Sequence, residues 1–321
     1  MSGWGGTLGV CEESIRTHIQ MNNRDMGLAL LVVTIWGASF TVISLGLDGV
    51  PPMLLAAMRF ALAAVPAVFF VRRPAIELRY LIGYGLLVGV GQFGCLFYAM
   101  HMGMPAGLAS VVLQSQAFFT LALAAIFLRE SVSASQVTGV MVAAFGLFLI
   151  AQGGSGPGLS ALPLGALLLC MAGAAFWGGS NIIVRKASVA AFQRGDSVNM
   201  FSLVVWSSLV PPIPLLLLAL QLDSLQTMEV AVSQIDAASI LVFFYLSFCA
   251  TLFGFGAWSS LLSRYLTASV APLSLLVPVT GLLTASVVLD EHLSWLQWGG
   301  CLAVLCGLAI TTLRGAPHAK R

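Results

Sequence analysis

Apolar residues fall in ten long runs along the chain, and the polar positions between them are few and clustered. About 20 apolar residues are needed to cross roughly 30 Å of hydrocarbon as a helix. The runs at 26–46, 52–71, 80–100, 106–128, 135–152, 162–184, 198–220, 237–262, 268–289 and 295–313 meet that length. The pattern therefore predicts an all-α membrane protein with ten transmembrane helices. Several connections are short, such as His101 to Pro105, which makes the flanking helices antiparallel neighbours. The longest internal connection, 221–236, carries Asp223, Glu229 and Asp236.

Lys and Arg give the orientation. Thirteen of the fourteen basic residues fall on one side of this ten-span layout and none on the other; the fourteenth, Arg59, lies inside the second span. Basic loops stay cytoplasmic, so both termini are expected in the cytoplasm.

Self-comparison reveals a repeat. Trp36-Gly37-Ala38-Ser39 in the first span recurs as Trp177-Gly178-Gly179-Ser180 in the sixth. Leu128, Glu130, Gln136, Gly139 and Gly146 recur in a single register as Leu289, Glu291, Gln297, Gly300 and Gly307. A Gly-rich stretch at 153–158 is the natural seam. The expected organisation is a cytoplasmic tail at 1–25, a first five-helix repeat at 26–152 and a second at 162–314. The stretch 1–20 reads equally as an overextended start, with Met21 as initiator. Five is odd, so the second half enters the membrane upside down, giving two inverted repeats of the kind secondary transporters use around a midplane site.

Composition narrows the function classes. Of 321 residues, 59% are hydrophobic and 8% charged, against about 25% charged in soluble domains. Net charge is +2, and no basic run interleaves with aromatics, so nucleic acid is not an expected partner. The six cysteines form no CxxC pair and no spacing with His suited to a metal, and read as packing residues. GxSxG, HExxH and paired mid-span Asp residues are all missing, which argues against an enzyme. Gly89-Val-Gly-Gln-Phe-Gly94 fits GxGxxG, but it sits inside an apolar helix with no strand before it and reads as a packing face. No cofactor or metal is called for, and monomer and homodimer stay open.

The Trp-Gly-x-Ser first span, the Leu-Arg-Glu and Leu-Asp-Glu span ends and the 5+5 layout resemble the drug/metabolite transporter superfamily, EamA type. The stretches from Met104 to Ser110, Gln114 to Thr120 and Ala271 to Val279 look most like its cysteine-type exporters. The resemblance runs from about Met21 to Leu313. It implies export of small amino-acid metabolites, cysteine- or O-acetylserine-like, from cytoplasm to periplasm across the bacterial inner membrane. A multidrug or polyamine efflux pump of the same fold is the alternative. The family's usual proline in helix 4 is Ala117 here, preceded by Gln116.

Residues able to line a path are mostly uncharged. A charge at mid-membrane costs about 2.5–3.5 kcal/mol and usually faces protein or water. Arg59 has no mid-span Asp or Glu to pair with, which leaves backbone carbonyls, Gln or Tyr oxygens, lipid phosphate or a substrate carboxylate. Without a titratable buried acid, facilitated or exchange transport fits better than proton coupling. Trp36 and Ser39 share a face, as do Trp177 and Asn181. Ser110 and Gln114 lie on one face of the fourth span, Gln116 and Thr120 on another about 200° away, so only one pair is expected to line a cavity fully. Gln92, Tyr98, Tyr245 and Trp258 add polar and aromatic groups. Pro278 leaves the Ser274 carbonyl without its helical donor. The expected substrate-binding set is Trp36, Ser39, Arg59, Gln92, Gln114, Gln116, Trp177, Asn181, Trp258 and Ser274. Glu130 and Glu291 are expected to support the start of the helix that follows each.

Overall fold

A computed structural model describes residues 21–129, 132–152, 162–265 and 270–313. The 1–20 stretch, Glu130, the 153–158 seam and the basic C-terminal end lie outside the described residues. All regular structure among the described residues is helical. Five helices are long and apolar enough to cross a membrane: α1 (Asn23–Leu47), α3 (Leu78–His101), α4 (Ala106–Leu128), α6 (Leu164–Phe192) and α10 (Ala237–Arg264). A bent pair, α7 (Met200–Ser207) and α8 (Pro212–Leu222), makes a sixth. Four shorter apolar helices complete the bundle: α2 (Pro52–Ala67), α5 (Ala134–Gln152), α11 (Leu276–Val288) and α12 (Trp295–Leu313). The protein is a multi-pass membrane protein. Its outward surface carries large apolar side chains such as Phe69, Phe70, Val287 and Trp295.

Several boundaries depart from the hydropathy reading. The span at 198–220 is bent by 42°, because Pro211 and Pro212 donate no backbone N–H and disfavour helix before them. Ser207 and Ser208 donate their hydroxyls to the Val204 carbonyl at the break, at 3.1 and 2.7 Å. α2 stops at Ala67, just past Pro66, although apolar residues continue to Val71. α6 outlasts its apolar run, so Arg185 and Lys186 sit on the helix rather than after it. The 221–236 connection holds a short helix, α9 (Leu225–Ser233), capped by Ser224.

Equivalent positions of the repeat adopt equivalent irregularities. α3 widens to a π-helix over Leu86–Gly94 and α10 does so over Tyr245–Phe253. α4 tightens to 3₁₀ over Leu113–Ser115, and a 3₁₀ turn, Ala271–Leu275, leads into α11. Arg129 and Asp290, which coincide in the repeat register, are the non-glycine residues with left-handed backbone among the described residues, φ 55° and 54°. Then come two reciprocal caps. Ser133 N–H bonds the Gln136 side chain and Gln136 N–H bonds Ser133 Oγ; Ser294 and Gln297 repeat this at the head of α12.

Neighbour relations also exchange between halves. α1 packs on α11 as α6 packs on α4; α6 packs on α3 as α1 packs on α10. Glycines set the closest approaches. A Cβ on Gly37 would lie 2.7 Å from the Val277 carbonyl oxygen on α11, and one on Gly178 would lie 2.9 Å from Thr120 N on α4. The glycine of each Trp-Gly-x-Ser copy thus lets in its partner helix. On α5 and α12, Gly146 meets Gly300 while Gly139 meets Gly307, so the two helices cross antiparallel.

Glu291 does not serve the helix that follows it. Its carboxylate accepts the N–H groups of Ala106 and Gly107 at 2.6 and 2.9 Å, holding the start of α4 to the end of α11; the α12 start has the Ser294–Gln297 cap. At this end α4 is buried from Ala106 through Ser115, whereas beyond Gln116 only Ala124 is.

Gly300→Leu should destabilise the fold, because a Cβ there would stand 2.6 Å from the Gly146 carbonyl oxygen. Overpacking of this kind costs about 1–3 kcal/mol. Gly299→Ala, where a Cβ would meet nothing within 4 Å, should leave the detergent-solubilised melting temperature nearly unchanged; equal melting of the two variants would refute the contact.

Candidate functional site

α1, α2, α3, α4, α6, α10 and the turn before α11 enclose a cavity of about 320 Å³. Its wall gathers nine of the ten sequence-predicted residues: Trp36, Ser39, Arg59, Gln92, Gln114, Gln116, Trp177, Trp258 and Ser274. Asn181 lies off the wall. Its side-chain amide donates to Gln116 Oε1 at 2.9 Å and to Thr120 Oγ1 at 3.0 Å. Thr120 spends its own hydrogen on the Gln116 backbone carbonyl. Asn181 thus holds the Gln116 side chain by its oxygen, which leaves the Gln116 amide N–H donors for the cavity.

Only one of the two α4 pairs lines the cavity in full, as expected: Ser110 and Gln114 are both on the wall, whereas of Gln116 and Thr120 only Gln116 is. Gln116 reaches it because the 3₁₀ turn advances about 120° per residue instead of about 100° and swings Gln116 back towards Ser110. Ser274 reaches the wall from the 3₁₀ turn ahead of α11, and Pro278 sits in the first turn of α11, where a missing N–H removes nothing. The free mid-helix carbonyl expected at Ser274 is thus corrected: the Leu276 N–H points at the Leu273 and Ser274 carbonyls.

Arg59 is 3% exposed. Its acceptor is of a type the sequence did not suggest, the Thr251 hydroxyl, 3.4 Å from Nε and 3.3 Å from Nη2. Thr251 gives its hydrogen to the Leu246 carbonyl, 2.8 Å away and one π-turn back along the helix, so only lone pairs face Arg59. Both Arg59 contacts are long for hydrogen bonds. The stronger local support is Phe93, whose ring centroid lies 4.0 Å from the guanidinium carbon, a desolvated cation–π geometry of about 2 kcal/mol. Nη1 has no hydrogen-bond partner among the described residues. The one buried acid among them, Asp25, sits at the head of α1, bridged to Arg264 at 3.1 Å.

Aromatic rings shape the rest. Trp36 packs on Phe255 and Trp258, each 5.2 Å between centroids. Its indole N–H is fixed on the Ala250 carbonyl at 2.9 Å, and Gly254 leaves room for the ring. Tyr245 does not reach the wall; its hydroxyl bonds the Ile35 carbonyl. Tyr98 packs against the apolar core beside His101. Gly89 and Gly91 of the GxGxxG stretch press on Pro211 and Phe176, close packing rather than phosphate binding. Thr251, Phe93, Tyr84 and Phe255 contribute to the Arg59 surroundings and were not singled out by sequence.

Two stretches, residues 25–152 and 164–313, match the model of the EamA-like transporter family. The chain belongs to the EamA-like transporter family. It is 45% identical over 291 residues to a probable amino-acid metabolite efflux pump of Escherichia coli strain K12, covering 90% of this chain and 95% of that protein. A protein of the same description from Salmonella typhimurium is 44% identical over 290 residues, covering 90% and 95%. A solved crystal structure, 18% identical, shares the fold with a TM-score of 0.58, covering 91% of this chain and 98% of that one. As an EamA-like protein, the chain is a membrane transporter and not an enzyme.

Asn181→Leu should weaken half-saturation by a transported substrate about 3- to 10-fold, one net hydrogen bond, with the folded yield unchanged. Gln116→Leu should cost a similar factor, and the double variant little more than either alone. Fully additive losses in this double-mutant cycle would break the link between the two side chains.

Proposed function

We propose that this protein exports small amino-acid metabolites, of the cysteine and O-acetylserine kind, from cytoplasm to periplasm by alternating access. The observation that carries the reading is Arg59: a buried cation on the wall of a cavity large enough for a small metabolite, held by a neutral hydroxyl and a ring instead of an acid. A substrate carboxylate is the partner such a group lacks. Efflux-pump relatives at 45% and 44% identity support an amino-acid cargo. A cationic drug or polyamine suits the cavity poorly, since Arg59 is the one charged side chain among the described wall residues.

Ten spans in two inverted five-helix halves remain our reading of the topology. It is supported by the antiparallel glycine contacts of α5 and α12, by the paired caps and by the exchangeable neighbours. Sidedness is supported by ion pairs that link ends assigned to the cytoplasm: Asp25 with Arg264, and Glu77 with Arg194 at 3.5 Å. The Glu291 clasp lies at the opposite end, where α4 is fully buried. We read this arrangement as closed towards the periplasm, with both termini cytoplasmic.

Preloaded proteoliposomes should release labelled L-cysteine or O-acetyl-L-serine saturably. Losing a charge-assisted bond costs about 1.5–3 kcal/mol, so Arg59→Gln should weaken apparent affinity about 10- to 150-fold, with Arg59→Lys in between. Cation resistance on overexpression without amino-acid efflux would reverse the assignment.

A further inference from the structure

We infer that the cavity reads both ends of a free α-amino acid: Arg59 takes the carboxylate and the Gln92 side-chain carbonyl takes the α-ammonium group. The inference rests on the amino-acid reading above and narrows its cargo to molecules with an unblocked amine.

Two buried side chains on this wall are left incomplete, and they are of opposite kinds. Among the described residues, Arg59 Nη1 is a donor without a partner; Gln92 Oε1 is an acceptor without one, on a residue 4% exposed. Orphaned buried polar groups are rare and costly. Two on one cavity wall, one cationic and one accepting, describe a ligand with a carboxylate beside an N–H⁺ group.

The surroundings explain why the two do not satisfy each other. The guanidinium lies on the Phe93 ring and is tethered to Thr251. Gln92 immediately precedes Phe93 on the π-segment, and its backbone presses on α6, where a Cβ at Gly173 would lie 3.0 Å from the Gln92 carbonyl oxygen. The terminal amide torsion is soft, so the Gln92 side-chain carbonyl can turn to a ligand. The Gln116 oxygen is already taken by Asn181. A neutral acceptor is also the group that works beside Arg59. An amide oxygen holds an ammonium group by a charge-assisted bond and carries no negative charge to compete with the substrate carboxylate for the guanidinium.

O-acetyl-L-serine and N-acetyl-L-serine are isomers that differ in whether the amine is free, and they make the test. In proteoliposomes at mildly acidic pH, where the acetyl group stays on oxygen, wild type should move the O-acetyl isomer at least about tenfold more efficiently than the N-acetyl isomer. Gln92→Met, similar in length but without an acceptor, should bring that ratio near one. A ratio of rates is unaffected by how much variant folds, and if Gln92→Met yields no folded protein the wild-type ratio alone decides. The methyl ester of O-acetyl-L-serine, its carboxylate blocked, should be rejected by both proteins. Wild type moving both acids equally, or Gln92→Met keeping the preference, would overturn the Gln92 assignment while leaving amino-acid export intact. If wild type moves neither acid, the export reading itself fails and the inference falls with it.

Discussion

Inside hydrocarbon there is no water to expel from between helices, so close backbone approach must supply the attraction that apolar burial supplies elsewhere. The bundle depends on that constraint. Gly37, Gly178, Gly146 and Gly300 mark crossings where a single added carbon would collide with the partner's backbone. These crossings set the spacing of α1 on α11, α6 on α4 and α5 on α12. Displacing α11 or α4 would move Ser274 and Gln116 off the cavity wall. The glycines therefore act on the site at a distance, by fixing the helices that carry it.

Within that frame, Arg59 is the costly element. Its burial is worth several kcal/mol against the protein, and two long contacts to Thr251 return little of it. Phe93 returns more, but a π-face cannot saturate a guanidinium with five donors. In the export reading proposed above, a substrate carboxylate relieves the remaining deficit, with no acid among the described wall residues to compete for it. A fully satisfied Arg59 would read as structural; the unpartnered Nη1 is what supports the proposed ligand role.

Much of this was legible in the sequence. Long apolar runs located the helices, and the Leu128–Gly146 register, matched at Leu289–Gly307, located equivalent ends that the structure caps and bends alike. Trp36, Gln92, Gln116 and Trp177 were found because polar or indole groups inside apolar runs have few places to go. What stayed hidden was set by tertiary contact. Thr251 looks like any mid-helix threonine, and only the neighbouring α2 makes it the acceptor for Arg59. Asn181 shares the helical face of Trp177, yet its amide is spent on Gln116 and Thr120 of α4 and it is not among the wall residues. The helical wheel separated the two α4 pairs correctly, but a single 3₁₀ turn, invisible to periodicity, brings Gln116 onto the wall with Ser110 and Gln114 while Thr120 stays off it. Glu291 was placed by local dipole logic on α12, while its carboxylate caps α4, far back along the chain.

Irregular backbone serves both the cost and the geometry of the site. In a membrane, unpaired backbone groups are tolerated only where protein or a water-lined cavity receives them. The π-segment of α3 puts Gln92 and Phe93 on the wall, and that of α10 offers the Ala250 carbonyl to Trp36 and Thr251 to Arg59. The two 3₁₀ turns deliver Gln114 and Ser274. Three of the four deviations put side chains on the cavity wall, and the π-segment of α10 braces the wall residues Trp36 and Arg59; the four fall in pairs at matching places in the two halves. Regular α-helix would leave the backbone better bonded but would aim these side chains elsewhere. Backbone regularity is relaxed where the cavity must be polar, and the glycine crossings around it keep that relaxation local.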